Sequence, residues 1–287
     1  MNFRTDLALE AAENLADASP EDFDQTRTEN GDTVVTKINV KTARGAELIG
    51  KPPGIYVTAE IPPLSDNDEA LEQEAYVIAG ELSAMLPRKG TVLVVGIGNS
   101  SITPDALGPM AAGMVLATRH IDKEFARSTG LDNLRPVAVS VPGVLGQTGI
   151  ETSETVKGLC GMMKPSVVIA VDALASRSLS RLGCTVQLCD SGISPGSGIG
   201  NNRQALNKDT LGIPVVGLGV PTVVDAEVIA RELTGSTEEF SPRGASMMVT
   251  PREIDLVIRR ASKLAAMAIN AALQPAYSPL ELIAVAM

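Results

Sequence analysis

Three aspartates of the sequence each follow a hydrophobic run that has the composition of a buried strand. Asp105 comes shortly after VLVVGIG, Asp172 ends VVIAVD, and Asp190 ends VQLCD. In open α/β sheets, functional groups gather at the carboxyl ends of the strands, so we expect these carboxylates at one sheet edge. Two carboxylates that face each other share a proton, because neighbouring like charges raise the pKa of one of them. Such a pair can act as a base toward water and as an acid toward a leaving amine.

Each of these aspartates, taken singly, also fits a helix cap or a turn. Three of them at the same sheet edge favour chemistry over capping. The triplet Asp190-Ser191-Gly192 matches the Asp-Ser-Gly of pepsin-like enzymes. Those enzymes use two such loops on β-rich halves, and this sequence has one loop on an α/β pattern, so the triplet alone is weak evidence.

Two glycine-rich segments are incomplete versions of phosphate-binding motifs. Gly96-Ile-Gly98 lacks the third glycine of a dinucleotide site, because Ser101 stands in its place. The segment GAELIGK at 45–51, which ends in Lys51, resembles a P-loop, but Pro52 takes the place of the magnesium-binding hydroxyl. The first segment is thus weak evidence for a nucleotide site and fits a tight connection from a strand to a helix at least as well, and we interpret the second as a turn.

Serine and imidazole chemistry fit the sequence poorly. The segment 192–196 has the nucleophile-elbow pattern, but Pro195 follows Ser194 and has no N–H for an oxyanion hole. His120 is the single histidine of the chain, so a cluster of imidazole ligands is excluded. Any metal would have to be held mainly by carboxylates. We therefore predict neither a metal site nor a cofactor.

A glycine-rich loop lies between Asp190 and Lys208, and loops of this length usually serve a site. It carries Arg203, and Arg177 and Arg181 are close in sequence. These four basic residues, Lys208 included, are candidates for binding an acidic side chain of a substrate. The alternative is that they are ordinary solvated charges.

The elements that must position these residues follow from the hydrophobic pattern. From residue 91 onward, continuous apolar runs alternate with helical patterns, which is typical of strands buried on both faces. We therefore predict an α/β fold with a mainly parallel sheet flanked by helices on both sides. Before this region, residues 33–62 contain two alternating runs that predict a half-exposed strand pair, a small β-containing extension. Residues 67–86 have the periodicity of an amphipathic helix.

Composition excludes several classes of function. The net charge is −10 and aromatic residues make up 2% of the 287 residues, so direct binding to nucleic acid is not expected. The N-terminus lacks the pattern of a signal peptide, and the sequence contains no apolar run of membrane-spanning length. The cysteines have no Cys-x-x-Cys spacing, which fits a reducing compartment. We expect a soluble, cytoplasmic protein without a membrane partner.

Seven stretches of the sequence, in chain order, resemble the germination proteases of spore-forming bacteria. They are RTDLALE, VGIGNSSITPDALGP, GVLGQTGIETSE, VVIAVDALASRSL, DSGISPGSGIGNNR, LGIPVVGLGVPTVVDA and VTPREID. The resemblance implies a leader at residues 1–4 and a single α/β peptidase domain at 5–274, with the strand pair at 33–62 as an accessory element. Residues 275–287 differ from the family and are interpreted as a divergent tail.

The resemblance also implies an activity. Members of the family are endopeptidases that degrade the small acid-soluble proteins of the spore, cutting after an acidic residue and before a hydrophobic one. Their two catalytic aspartates correspond to Asp105 and Asp172. Asp190 then has a supporting or cleft-lining role. The turn residues Gly96, Gly98 and Asn99 are expected to bend the chain so that Asp105 faces Asp172.

Maturation and assembly are implied in the same way. The family is made as a homotetrameric zymogen of the forespore and spore core that removes its own leader before a Thr-Asp-Leu-Ala motif. In this sequence the implied cut lies between Arg4 and Thr5.

Two alternatives stay open. The fold resembles that of hydrogenase maturation endopeptidases, whose Gly-x-Gly-Asn turn followed by an acid is similar to GIGNSSITPD. This similarity keeps a peptidase with a carboxylate-held metal as the second enzymatic interpretation. A spore protein that binds acidic peptides or small anions without cutting them is the non-enzymatic one.

Overall fold

A single nine-stranded sheet forms the centre of the protein. The computed structural model describes residues 5–13, 19, 21–66, 71–128, 133–197, 203–235 and 247–286. The strands are β1 (Phe23–Asn30), β2 (Thr33–Val40), β3 (Gly54–Glu60), β4 (Val92–Gly96), β5 (Val137–Ser140), β6 (Val167–Ser176), β7 (Thr185–Cys189), β8 (Val215–Asp225) and β9 (Met248–Val249).

The helices of the described residues vary from one turn to 20 residues. They are α1 (Ala8–Ala12), α2 (Ala43–Ile49), α3 (Leu71–Met85), α4 (Leu107–Gly113), α5 (Lys123–Ser128), α6 (Leu145–Thr148), α7 (Thr152–Met163), α8 (Lys208–Leu211), α9 (Ala226–Thr234), α10 (Ile254–Leu273) and α11 (Pro279–Ala286). None of the helices in these ranges is long and apolar enough to span a membrane.

The sheet has a parallel half and an antiparallel half. Its order is β1-β2-β3-β7-β8-β6-β4-β5, and β9 pairs with β8. The ladders that join β5, β4, β6 and β8 are parallel, whereas β1, β2, β3 and β7 pair antiparallel with their neighbours. The parallel direction predicted for the strands after residue 91 therefore fails at β7. The chain between β6 and β7 is too short for the crossover that a parallel return requires, so β7 starts at the edge where β6 ends.

Hydrophobic clusters cover both faces of the sheet. On one face, α3, α4 and α10 pack on alternate residues such as Val94, Ile169 and Leu218. On the other face, α7 packs on the residues between them, such as Val95 and Ala170. All residues of β4 are buried, which explains its unbroken apolar composition. The predicted α/β fold with helices on both sides is confirmed.

The predicted strand pair at 33–62 is continuous with the main sheet. Strand β3 pairs antiparallel with β7, with Tyr56 opposite Cys189. Helices α1 and α2 pack against this part of the sheet, and Tyr56 is buried between them and the strands. The extension therefore brings residues from the first fifth of the chain beside β7 and β8. The predicted tail at 275–287 includes α11, whose Ile283 belongs to the main core.

Candidate active site

The turn after β4 is shaped by glycines. Gly98 has φ +122°, and a Cβ atom there would lie 2.0 Å from the carbonyl oxygen of Asp105. Such contact with a backbone atom excludes any side chain at this position. The N–H of Ile97 donates to the carbonyl of Val171 at 2.8 Å, which ties the turn to β6. The predicted tight connection is therefore present, and it holds the chain against Asp105.

Asp105 ends a short 3₁₀ turn at Thr103–Asp105. Its Oδ2 accepts a hydrogen bond of 2.7 Å from the N–H of Asn99. The hydroxyl of Thr222, in β8, donates to the carbonyl of Pro104 at 2.8 Å and fixes the turn from the other side. Burial raises the pKa of Asp105, and the hydrogen bond from Asn99 opposes this increase. The turn that carries the carboxyl group is therefore held both by the preceding turn and by β8.

Asp172 lies inside β6, at the point where the neighbouring strand stops. The last residue of β4 pairs with Val171, so Asp172 is the first residue of β6 beyond that ladder. Asp172 is 5% exposed, and its Oδ1 accepts a hydrogen bond from the N–H of Ala173 at 2.9 Å. Burial raises the pKa of Asp172 well above its usual value, and the negative charges of Asp105 and Asp6 raise it further.

One cavity of about 470 Å³ is lined by both of these aspartates. Its polar lining also includes Asp6, Lys51 and Gln187. Its apolar lining includes Ile102, Pro104, Val223 and Met248. The sequence-based prediction that Asp105 and Asp172 come together is supported by this arrangement, in which a third carboxylate and an ammonium group share the same space.

Asp6 was not predicted as a site residue. Its Oδ2 accepts from the N–H of Ala175 at 2.9 Å, and its Oδ1 accepts from the hydroxyl of Ser197 at 2.7 Å. Its own N–H donates to the carbonyl of Ala175, and its carbonyl accepts from Nε2 of Gln187 at 2.7 Å. Because Gln187 also accepts from the N–H of Ala8, the N-terminal segment is fastened to β6 and β7 at several points.

Lys51 was interpreted as part of a turn, and it contributes to the cavity instead. Its Nζ donates to the carbonyl of Thr5 at 2.9 Å. Burial lowers the pKa of Lys51, and the negative charge of Asp6 opposes this change. Nothing in the sequence near Lys51 signals this position, since it depends on the pairing of β3 with β7.

The antiparallel direction of β7 corrects the prediction for Asp190. Because Cys189 pairs with Gly217, near the start of β8, Asp190 emerges toward the amino end of β8 and not at the edge shared by the other two aspartates. Asp190 does not line the cavity. Its Oδ1 accepts from the N–H of Ile55 at 2.7 Å, so it caps the beginning of β3.

The four basic residues that were predicted to bind an acidic side chain do not line the cavity. Arg177 donates to Glu10 through its backbone N–H at 2.7 Å and its guanidinium donates to the carbonyl of Glu10. Arg181 forms ion pairs with Glu13 and Glu60. The other two basic residues are also outside the cavity. Arg203 contacts Glu151 at 3.4 Å, and Lys208 is exposed at the start of α8.

The predicted cleavage site is described only on one side. Arg4 lies outside the described residues, whereas the hydroxyl of Thr5 donates to Glu10. No group of three or more His, Cys, Asp or Glu side chains within the described ranges is arranged to hold a metal ion.

Comparison with known proteins identifies similar sequences over most of the chain. A family model described as germination protease matches residues 5–236. A germination protease of Clostridium perfringens (strain ATCC 13124) is 40% identical over 312 aligned residues, covering 96% of this chain and 96% of the relative. One from Caldanaerobacter subterraneus subsp. tengcongensis is also 40% identical, covering 98% of this chain and 97% of the relative. The germination protease of Bacillus subtilis (strain 168) is 44% identical and covers 80% of this chain and 65% of the relative.

A solved structure is similar over part of the chain. The [NiFe] hydrogenase maturation protease HycI from Thermococcus kodakarensis KOD1 is 22% identical, with a TM-score of 0.39. The similarity covers 68% of this chain and 99% of that protein.

Proposed function

This chain belongs to the germination protease family, and from that premise we propose that it is an endopeptidase in which Asp105 and Asp172 activate water. Its substrates in this proposal are the small acid-soluble proteins of the spore, cut after an acidic residue. The observation that supports it best is the pairing of two carboxyl groups with unequal environments in one cavity. Unequal pKa values allow one carboxyl group to be ionised while the other keeps its proton.

The environments assign different roles to the two aspartates. Asp105 accepts the hydrogen bond from Asn99 and is the more exposed of the pair, so it is the carboxylate that removes a proton from water. Asp172 is buried and faces the charge of Asp105, so it keeps its proton and donates it toward the scissile amide. The new C–O bond forms as water adds to the carbonyl carbon and gives its proton to Asp105; the C–N bond of the tetrahedral intermediate then breaks, and the amine leaves with the proton from Asp172.

The lining of the cavity fits the residues on both sides of the proposed cut. Ile102, Pro104, Val223 and Met248 offer an apolar surface for a hydrophobic residue after the cut. The lining also includes polar groups and Lys51. The cavity thus offers both an apolar surface and a positive charge, as a substrate with an acidic and then an apolar residue requires.

Self-processing, assembly as a homotetramer and action in the spore core are part of this proposal and rest on the family resemblance. A specificity for acidic residues also bears on the site of self-processing. The cut predicted between Arg4 and Thr5 follows a basic residue, whereas the bond between Asp6 and Leu7 has an acid before it and an apolar residue after it. Asp6 also lies in the cavity, so we favour that bond.

Cleavage of a purified small acid-soluble spore protein, analysed by mass spectrometry, tests the proposed function. The native chain is compared with Asp172→Asn and with Asp190→Asn, which replaces an aspartate outside the cavity. We expect cuts after acidic residues with the native chain and with Asp190→Asn, and none with Asp172→Asn. Loss of activity on addition of a chelator would indicate a peptidase with a carboxylate-held metal. Binding of the spore protein without any cut would indicate the non-enzymatic interpretation.

A further inference from the structure

The end of the cavity next to Lys51 already holds a carboxylate, that of Asp6. The protein binds this carboxylate directly, because both of its oxygens accept hydrogen bonds from residues that line the cavity. Oδ2 accepts from the N–H of Ala175 and Oδ1 accepts from the hydroxyl of Ser197. Hydrogen bonds from the wall to a charged oxygen are stronger and more directional than those between neutral groups.

The donors to this carboxylate come from separate elements. Ala175 lies in β6, three residues after Asp172. Ser197 follows the turn in which its N–H donates to the carbonyl of Ser194 at 3.1 Å, and that turn holds the hydroxyl over the cavity. The site that binds this carboxylate is therefore built from a strand and a separate loop.

Lys51 supplies the positive charge of this end of the cavity. It is the single lysine or arginine among the described residues that line it. Its Nζ is placed by the carbonyl of Thr5, next to Asp6, and it is attracted by the charge of Asp6. Arg177, Arg181 and Arg203 are engaged with carboxyl or carbonyl groups of the protein itself, so they do not compete for this role.

The backbone of Asp6 is held in the manner of a bound peptide. Its N–H donates to the carbonyl of Ala175 at 3.0 Å, and its carbonyl accepts from Nε2 of Gln187 at 2.7 Å. The residue therefore shows how an acidic residue of an extended chain fits this position, with its side chain bound by Ala175 and Ser197 and its main chain bound by β6 and Gln187.

We propose that the pocket around the Asp6 carboxylate is the subsite that binds the acidic side chain of the substrate, with Lys51 and Ser197 as its specificity-determining residues. The inference rests on the proposed function, since it names the groups that select the residue before the cut. It also makes Asp6 a competitor of the substrate, because one pocket cannot hold two carboxylates. A substrate enters once the N-terminal segment has left.

Peptide binding to the full chain tests this subsite without relying on turnover. The protein carries Asp172→Asn, to prevent cutting, and Asp6→Ala, to open the pocket. Two blocked peptides that differ only by Glu or Gln before a hydrophobic residue are titrated by calorimetry. We expect the Glu peptide to bind about tenfold more tightly or better, because its charge gains the hydrogen bonds that Asp6 had.

Variants of the pocket then identify the groups responsible. Lys51→Met and Ser197→Ala should each reduce the preference for Glu to about threefold or less. Lys208→Met and Ser83→Ala are the matched controls, because both residues are exposed and outside the cavity, and they should retain the preference. A preference that survives in Lys51→Met and Ser197→Ala, or one that is absent from the parent protein, would overturn the inference.

A second measurement covers the case in which Asp6→Ala does not fold. The free energy of unfolding is measured for Asp6→Asn, Lys51→Met and the double variant of the otherwise native chain. We expect the effects to be non-additive, because Lys51 responds to the charge at position 6. Additive effects would contradict the inference.

The proposed function and the subsite can fail separately. If the Glu peptide is preferred, but the protein with native Asp172 cuts neither peptide, the subsite is supported and the proposed peptidase function is contradicted. If the Lys51→Met variant cuts after Glu with the selectivity of the native chain, the peptidase function is supported and the subsite is contradicted.

Discussion

The N–H of Asn99 donates a hydrogen bond of 2.7 Å to Oδ2 of Asp105, so the turn after β4 and the carboxyl group six residues later form one unit. This bond opposes the increase that burial causes in the pKa of Asp105. Asp172 is more buried and also faces the charge of Asp105, so its pKa is raised well above the usual value. The two carboxyl groups are therefore chemically distinct before any substrate binds.

The first prediction concerns the pH dependence of cleavage. In the proposed mechanism Asp105 is ionised and Asp172 is protonated, so kcat/KM should fall on the acid side as Asp105 gains its proton. On the alkaline side it should fall as pH rises through the raised pKa of Asp172. Asp105→Asn should lower kcat by about 100-fold or more. A profile that stays flat to high pH would show that a protonated Asp172 is not required.

The second prediction concerns stability. A carboxyl group whose pKa is raised in the folded state binds a proton there more tightly than in the unfolded chain. The stabilisation that this protonated carboxyl group provides is complete below the pKa that the group has in the unfolded chain. It is lost as pH rises through the pKa that the group has in the folded state. At neutral pH, Asp172→Asn should therefore raise the free energy of unfolding, because an amide is neutral at this buried position without binding a proton.

Urea denaturation at several pH values measures this effect. The difference between Asp172→Asn and the native chain should shrink below about pH 4, where the native carboxyl group is protonated in both states. Equal stability of the two proteins at neutral pH would argue against a raised pKa at Asp172.

The third prediction concerns the turn that carries Asp105. Gly98→Ala should destabilise the protein on the order of 3 kcal/mol, because Gly98 has φ +122° and its added Cβ would meet the carbonyl of Asp105 at 2.0 Å. Gly161→Ala is the matched control, since it lies in α7 with no atom within 4 Å of the added Cβ. That variant should gain about 0.5–1 kcal/mol. Thermal unfolding of both variants tests this prediction. A similar effect of the two substitutions on stability would contradict it.

The fourth prediction concerns the attachment of the N-terminal segment. Gln187 donates to the carbonyl of Asp6 and accepts from the N–H of Ala8, both at 2.7 Å. Gln187→Leu leaves these two backbone groups without their partner and should cost about 2 kcal/mol. Hydrogen exchange of the amides at 6–12 should become faster, while the amides of β4 remain protected. Unchanged exchange at 6–12 would show that Gln187 does not hold the segment.

The fifth prediction concerns self-processing. Mass spectrometry of the protein after incubation should show a new N-terminus at Leu7, because the bond after Asp6 satisfies the proposed specificity and Asp6 lies in the cavity. An N-terminus at Thr5 would instead support the cut between Arg4 and Thr5. The variant Asp105→Asn should show neither.

Much of the fold could be predicted from the chain because its signals are local. Strand β4 has continuous apolar composition and β6 begins with an apolar run, and helix α7 between them has buried Val156 and Cys160 at helical spacing. The rule that functional groups collect at the ends of parallel strands then selected Asp105 and Asp172, since Asp105 follows β4 and Asp172 lies in β6 just beyond the ladder with β4. It failed at Asp190, because composition does not encode the direction of a strand.

The sequence by itself determined the α/β class and the family resemblance and predicted the pairing of Asp105 with Asp172, through residue patterns that act over a few positions. The tertiary structure alone decided which charges share the cavity with them. Asp6 and Lys51 reach it because β3 pairs with β7 and Gln187 binds the N-terminal segment, and these are contacts between residues more than a hundred positions apart. Arg177 and Arg181 were excluded by ion pairs and hydrogen bonds to acids near the N-terminus. Long-range pairing has no local signature, so the composition of the polar site could only come from the folded chain.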